Sequence, residues 1–164
     1  METYLRVRRK TDALCAPLRT EDYVLQSMPD ASPARWHLAH TTWFFETFVL
    51  VPHLPGYTPR EPAYEYLFNS YYNGVGAQFP RHRRGMLSRP TVAEILAWRA
   101  EVDEAVLALL RMDPGRPVTD LVTIGINHEQ QHQELLLTDI KHALSQNPLD
   151  PAWDEALDLK VARS

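Results

Sequence analysis

Residues 125–137 read Gly-Ile-Asn-His-Glu-Gln-Gln-His-Gln-Glu-Leu-Leu-Leu, with His128 and His132 four positions apart. The flanking apolar residues recur at helical spacing, so this separation places both imidazoles on one face of a helix, about one turn apart. Such a pair supplies half of a metal site. The polar run at the centre of the helix also needs buried partners, and a metal ion is one. Gly125, one turn earlier, has no side chain and would admit a close neighbour.

A second histidine pair, His37 and His40, lies in another helical segment, residues 32–51. Their separation of three leaves them about 60° apart around the helix. His40 shares its stripe with Trp36 and Trp43, so we expect His40 to face inward as a third ligand. For either residue the alternative is a core histidine hydrogen-bonded to the backbone or to a carboxylate. Three neutral histidines without a carboxylate suit iron(II), zinc or nickel, and spacing does not choose among them.

Four long helical patterns run along the chain, and no segment has the alternation typical of a strand. They cover approximately residues 2–26, with a break near Pro17, then 32–51, 91–112 and 119–144. Ser32 is expected to be the N-cap of the second helix, with Pro33 at its first position. Thr91 and Glu94 form a capping box for the third.

The segment between the second and third helices, residues 52–90, is rich in proline, glycine, asparagine and tyrosine. We predict a short helix at 63–72 and loop elsewhere. An ordered loop of this length is uncommon and often functional. The predicted fold is therefore all-α, an antiparallel four-helix bundle with a long loop between helices 2 and 3. The bundle is expected to span residues 1–148, and residues 149–164 are expected to form a tail or linker.

Composition and charge exclude several classes of protein. A chain of 164 residues is long enough for one domain with its own core. Its net charge of −4 argues against nucleic-acid binding, which needs a basic face. No apolar run approaches the roughly 20 residues of a membrane span, and no signal peptide is visible. The single cysteine, Cys15, excludes an internal disulfide and is expected to be a buried thiol in a cytoplasmic protein.

Two segments together resemble the N-terminal DinB-like domain of ergothioneine-biosynthesis sulfoxide synthases. They are Ser32-Pro33-Ala34-Arg35-Trp36-His37-Leu38-Ala39-His40-Thr41-Thr42-Trp43-Phe44-Phe45-Glu46 and His128-Glu129-Gln130-Gln131-His132-Gln133-Glu134. Residues 68–73, 84–85 and 88–92 fit the same family, and the resemblance covers roughly residues 13–151. It implies a DinB-like four-helix bundle joined to a C-terminal formylglycine-generating-enzyme-like domain.

The resemblance also implies a site and a reaction. By motif position, His40, His128 and His132 would hold a nonheme iron(II), with zinc or nickel possible in a purified sample. Enzymes of this family use oxygen to join the imidazole of hercynine to the sulfur of cysteine or gamma-glutamylcysteine, as a sulfoxide. Arg81 and Arg84 match the spacing of two arginines that in some members hold the carboxylate of the thiol substrate. The alternative for both arginines is a solvated basic loop.

The sequence leaves three functions open. The first is the iron-binding domain of an ergothioneine-type sulfoxide synthase. The others are a stand-alone DinB-like metal-dependent thiol transferase and a non-catalytic helical interaction module with structural histidines. The family's catalytic tyrosine and much of its hercynine pocket come from the second domain, so we expect this chain to need that domain or a partner chain. The metal, the thiol donor, the oligomeric state and the roles of His37, Glu134 and Cys15 stay open.

Overall fold

The computed structural model describes residues 1–156 and contains helices but no strand in that range. Its α-helices are α1 (Glu2–Cys15), α2 (Ala34–Phe44), α3 (Val51–His53), α4 (Ala63–Phe68), α5 (Val92–Arg111) and α6 (Arg116–Ser145). A π-helical segment, Phe45–Leu50, joins α2 to α3, and two 3-10 helices span Thr20–Val24 and Arg81–Met86. The predicted all-α class is confirmed. The description as an antiparallel four-helix bundle with a long loop stays a prediction.

The helix ends show where local sequence rules operate. Thr91 caps α5, because its side chain accepts the Glu94 backbone N–H while the Glu94 side chain accepts the Thr91 N–H. The predicted capping box is thus confirmed. The first helix ends at Cys15, which confirms the predicted break near Pro17, but no α-helix continues from there to residue 26. Pro17 cannot continue the hydrogen-bond ladder, and a 3-10 helix follows it.

Two further local predictions differ from the structure. The cap residue of α2 is Pro33, and the Ser32 hydroxyl instead accepts a hydrogen bond from Arg84. A tertiary partner therefore replaces the expected capping contact. Residues 81–85, predicted as loop, belong to the 3-10 helix Arg81–Met86.

The core forms where α2 packs against α5 and α6, and α1 packs against α6. Trp43, Phe45 and Trp98 are among its largest fully buried side chains. Gly125 allows the close approach of α6, because a Cβ at this position would lie 2.5 Å from Phe45 Cε1. The predicted close neighbour of Gly125 is confirmed, and this contact sets the next turn of α6 against α2. Among residues 1–156, no helix combines the length and apolar character needed to cross a membrane.

A buried ionic network links α1, α5 and α6. Glu129 is 0% exposed. Its Oε2 accepts a hydrogen bond from Arg8 Nη1 at 2.8 Å, and its Oε1 accepts from Thr11 and Arg99. Burial alone would raise the pKa of Glu129, but the charges and hydrogen bonds of Arg8 and Arg99 lower it to about 2. The network therefore holds a carboxylate between two guanidinium groups.

Candidate metal centre

Three histidines from two helices converge at one point. His40 lies on α2, and His128 and His132 lie one turn apart on α6. One ring nitrogen from each histidine lies within 4.8 Å of the other two, and His40 Nε2 is 3.1 Å from His128 Nε2. The arrangement could hold a metal ion with three nitrogen ligands.

The electrostatics of the cluster suit a metal. Burial lowers the pKa values of all three imidazoles, that of His128 to about 4. The rings are therefore neutral near neutral pH, which is the form that binds a metal. The Phe68 carbonyl oxygen lies within hydrogen-bond distance of His40 Nδ1. An N–H on that nitrogen leaves the Nε2 lone pair directed at the other two histidines. His128 Nδ1 is buried without a hydrogen-bond partner in the described part of the chain.

His37 lies next to this cluster but is not one of the three histidines that could hold the metal ion. Its Nδ1 lies 2.9 Å from His132 Nδ1, and its Nε2 lies 3.0 Å from Asp139 Oδ2. His37 is thus a core histidine paired with a carboxylate, which is the alternative that the sequence had left open. Sequence reasoning missed Asp139. The sequence does contain an indication of this partner, because Asp139 is seven residues after His132 and so lies two turns further along the same face of α6.

A cavity of about 220 Å³ opens beside the three histidines. Arg81 and Arg84 both line it, together with Trp36, Tyr71 and Tyr72. The structure therefore places two of the three arginines of this 3-10 helix, Arg81 and Arg84, at the cavity beside the histidine cluster. Their role in substrate binding stays a prediction.

Arg84 is a buried cation, 3% exposed. It donates hydrogen bonds to the hydroxyls of Ser32 and Ser70 rather than to a carboxylate, and its guanidinium lies 3.4 Å from the Trp36 ring centroid. Burial and the charge of Arg81 lower the pKa of Arg84 to about 9. A buried guanidinium with only neutral partners is suited to bind an anion that enters the cavity.

Other residues singled out in the sequence lie away from the cluster. Glu134 is exposed on α6. His142 pairs with the Ser27 hydroxyl at 2.7 Å. Cys15 is buried, as predicted, and burial raises its pKa to about 12.

The fold and the site define an all-helical protein with a buried three-histidine cluster that could hold a metal ion. The family model of the DinB superfamily matches residues 3–136. The chain belongs to the DinB superfamily. No curated protein matches it.

Proposed function

We propose that this chain is the iron(II)-binding domain of an ergothioneine-type sulfoxide synthase, which joins hercynine to cysteine or gamma-glutamylcysteine with oxygen. The observation that carries the proposal is the convergence of His40, His128 and His132 beside a cavity with a buried cation. Membership of the DinB superfamily and the motif resemblance of residues 32–46 and 128–134 support it. The proposed domain is a four-helix bundle of residues 1–148. The tail 149–164 lies partly outside the described residues, from 157 onward.

The donor set fits iron. His40, His128 and His132 would hold the ion through neutral nitrogens, and no carboxylate belongs to the set. Bound iron(II) would supply the redox chemistry with oxygen that carbon–sulfur bond formation requires. The protein's own contribution is to present three lone pairs at fixed positions in a buried site and to limit the access of water.

Arg84 gives the cavity its preference for a substrate anion. A carboxylate that enters would meet a guanidinium whose present partners are two serine hydroxyls and the face of Trp36. Arg81, held by the Tyr71 hydroxyl at 2.9 Å, adds a second positive charge at the same cavity. The two arginines would bind the carboxylate of the thiol substrate and orient its sulfur toward the histidines.

Hercynine binding and the remaining catalytic groups are assigned in this proposal to a formylglycine-generating-enzyme-like domain, on the same polypeptide or on a partner chain. The proposed setting is the cytoplasm. Nucleic acid and membrane have no part in the proposal.

Metal analysis after anaerobic reconstitution tests the first step. We expect one iron per chain, lost in His128→Asn and kept in His142→Asn, a matched control on the same helix outside the cluster. A wild-type protein with far less than one iron or zinc per chain, unchanged by His128→Asn, would instead support a non-catalytic helical module.

An oxygen-dependent assay tests the reaction. Hercynine and cysteine, or gamma-glutamylcysteine, should give the sulfoxide only when a formylglycine-generating-enzyme-like domain is supplied with this chain. Arg84→Gln should raise KM for the thiol, whereas the exposed neighbour Arg83→Gln should not. Thiol transfer by the chain alone, without oxygen consumption, would overturn the proposal in favour of a DinB-like thiol transferase.

A further inference from the structure

Asp139 and His37 form a buried hydrogen-bonded chain that ends on His132. His37 is 3% exposed, and Asp139 and His132 are each 9% exposed. The distances along the chain are 3.0 Å from Asp139 Oδ2 to His37 Nε2 and 2.9 Å from His37 Nδ1 to His132 Nδ1. We refer to these three residues as the Asp–His–His relay. It connects His37 on α2 to His132 in the metal cluster and to Asp139, about two turns further along α6.

The backbone of Ser32 fixes the direction of the first hydrogen bond. Its N–H donates to Asp139 Oδ2 at 2.8 Å, the same oxygen that faces His37. An ionised carboxylate only accepts hydrogen bonds, and Oδ2 already accepts this one. The proton between Asp139 and His37 is accordingly assigned to His37 Nε2, which donates to the same oxygen.

The second hydrogen bond then follows from the chemistry of imidazole. His37 is buried, and a neutral imidazole carries a single N–H. That N–H is on Nε2, which leaves a lone pair on Nδ1. His132 Nδ1 faces this lone pair and must carry the hydrogen of the bond, and its own lone pair is therefore on Nε2.

We propose that Asp139 and His37 are positioning residues that hold His132 in its Nδ1–H tautomer, with Nε2 free to bind the metal ion. This inference rests on the metal-binding part of the proposed function. His40 has a simpler support of the same kind, because its Nδ1 faces the Phe68 carbonyl. A hydrogen-bond partner on the far nitrogen of a metal-binding histidine fixes both the tautomer and the orientation of the ring.

The tautomers can be read directly by nitrogen-15 NMR of the histidine side chains in the metal-free protein. We expect His132 with hydrogen on Nδ1 and His37 with hydrogen on Nε2. The variants His37→Phe and His132→Asn assign the two sets of signals. Asp139→Ala should produce a mixture of tautomers at both rings. A finding that wild-type His132 carries its hydrogen on Nε2 would overturn the proposal. The decisive spectrum is that of the metal-free wild-type protein.

Zinc affinity, measured by competition with a chromophoric chelator, gives a second test. Asp139→Ala and His37→Phe should each lower the affinity by about 10–100-fold, the usual effect of losing such a partner. The control Ser27→Ala removes the partner of His142 on the same helix and should leave the affinity unchanged. In the double variant, Asp139→Ala should add little to His37→Phe, because Asp139 acts through His37. Independent, additive losses or no loss at all would contradict the relay.

The conservative variant His37→Asn separates orientation from simple packing. An asparagine amide oxygen near the position of His37 Nδ1 can accept the His132 Nδ1–H, so zinc affinity should recover relative to His37→Phe. Equal affinity in the two variants would argue that His37 acts only by filling space.

The relay and the proposed function fail in different ways. If wild type forms no sulfoxide but binds zinc with the expected tautomers, the relay stands and the reaction is wrong. If the tautomers are reversed while iron binding and product formation are normal, the reaction stands and the relay is wrong.

Discussion

Two buried polar clusters lie side by side on α6, at positions 128 and 129. Glu129 faces α1 and α5, where Arg8, Arg99 and Thr11 donate hydrogen bonds to both of its oxygens. His128 faces α2, together with His132 and His40. Neighbouring residues on a helix are about 100° apart, so one polar stretch serves two different surfaces. The glutamate cluster is closed by opposite charges. The histidine cluster, in contrast, borders a cavity and has one buried nitrogen without a hydrogen-bond partner among residues 1–156.

The contrast separates a structural cluster from a functional one. A buried charge with every partner in place stabilises one arrangement of helices and has no capacity left for a ligand. The neutral imidazole nitrogens that converge beside the cavity retain lone pairs. Only an additional group, such as a metal ion, can bind to these lone pairs. The same helix therefore carries a charge-paired cluster at Glu129 and a cluster at His128 and His132 that could hold a metal ion.

The largest expected effect is in the glutamate cluster. Glu129→Gln removes the buried carboxylate between Arg8 and Arg99, each of which keeps only one less buried aspartate as a partner. It should lower the free energy of unfolding by about 3–5 kcal/mol. Chemical denaturation of the metal-free protein measures it. Glu134→Gln, an exposed change on the same helix, is the control and should have little effect. If Glu129→Gln lowers the free energy of unfolding no more than the control does, the glutamate cluster does not have the stabilising role assigned to it.

Metal binding should stabilise the protein through the histidine cluster alone. Free zinc at 100 times its Kd should raise the free energy of unfolding by about 2.7 kcal/mol. His132→Asn should abolish this gain, whereas Glu129→Gln should keep it provided that it folds, because the hydrogen bonds of Glu129 go to Arg8, Thr11 and Arg99 and not to the histidines. A zinc-dependent gain that survives His132→Asn would place the binding site elsewhere.

Gly125→Ala tests how the spacing between α6 and α2 controls the histidine cluster. The new methyl group would overlap the Phe45 ring, with Phe44 also within 2.9 Å of it. We expect a loss of about 1–3 kcal/mol, as for other overpacked cores, together with weaker zinc binding. Gly74→Ala is the matched control, since a Cβ there meets nothing within 4 Å. Unchanged stability and zinc affinity in Gly125→Ala would show that the helix spacing adjusts freely.

The smallest expected effect is a difference in pH dependence between the clusters. The pKa of His128 is lowered from 6.5 to about 4, so the unfolded chain takes up more protons between these values, and the metal-free protein loses stability as pH falls through them. His128→Asn should make that part of the curve shallower. The pKa of Glu129 is lowered from 4.5 to about 2, so the corresponding loss of stability occurs as the pH falls between those two values. That loss should disappear in Glu129→Gln. Denaturation curves at a series of pH values measure both, and an unchanged slope in His128→Asn would contradict the assignment.

The sequence alone was sufficient for the helical class, the capping box at Thr91 and the shared face of His128 and His132. All of these depend on residues within a few positions of one another, where helix geometry and capping chemistry act locally. It also predicted the close contact at Gly125, which the position of Phe45 confirms.

Tertiary structure decided the contacts between distant parts of the chain. His40 and His128 are 88 positions apart, and Arg8 and Glu129 are 121 apart. Whether such residues meet depends on the rotation and spacing of packed helices, which local periodicity leaves free. For this reason the packing of segments that are distant in the sequence decides the partners of Glu129, the relay from Asp139 to His132 and the burial of Arg84 against Trp36.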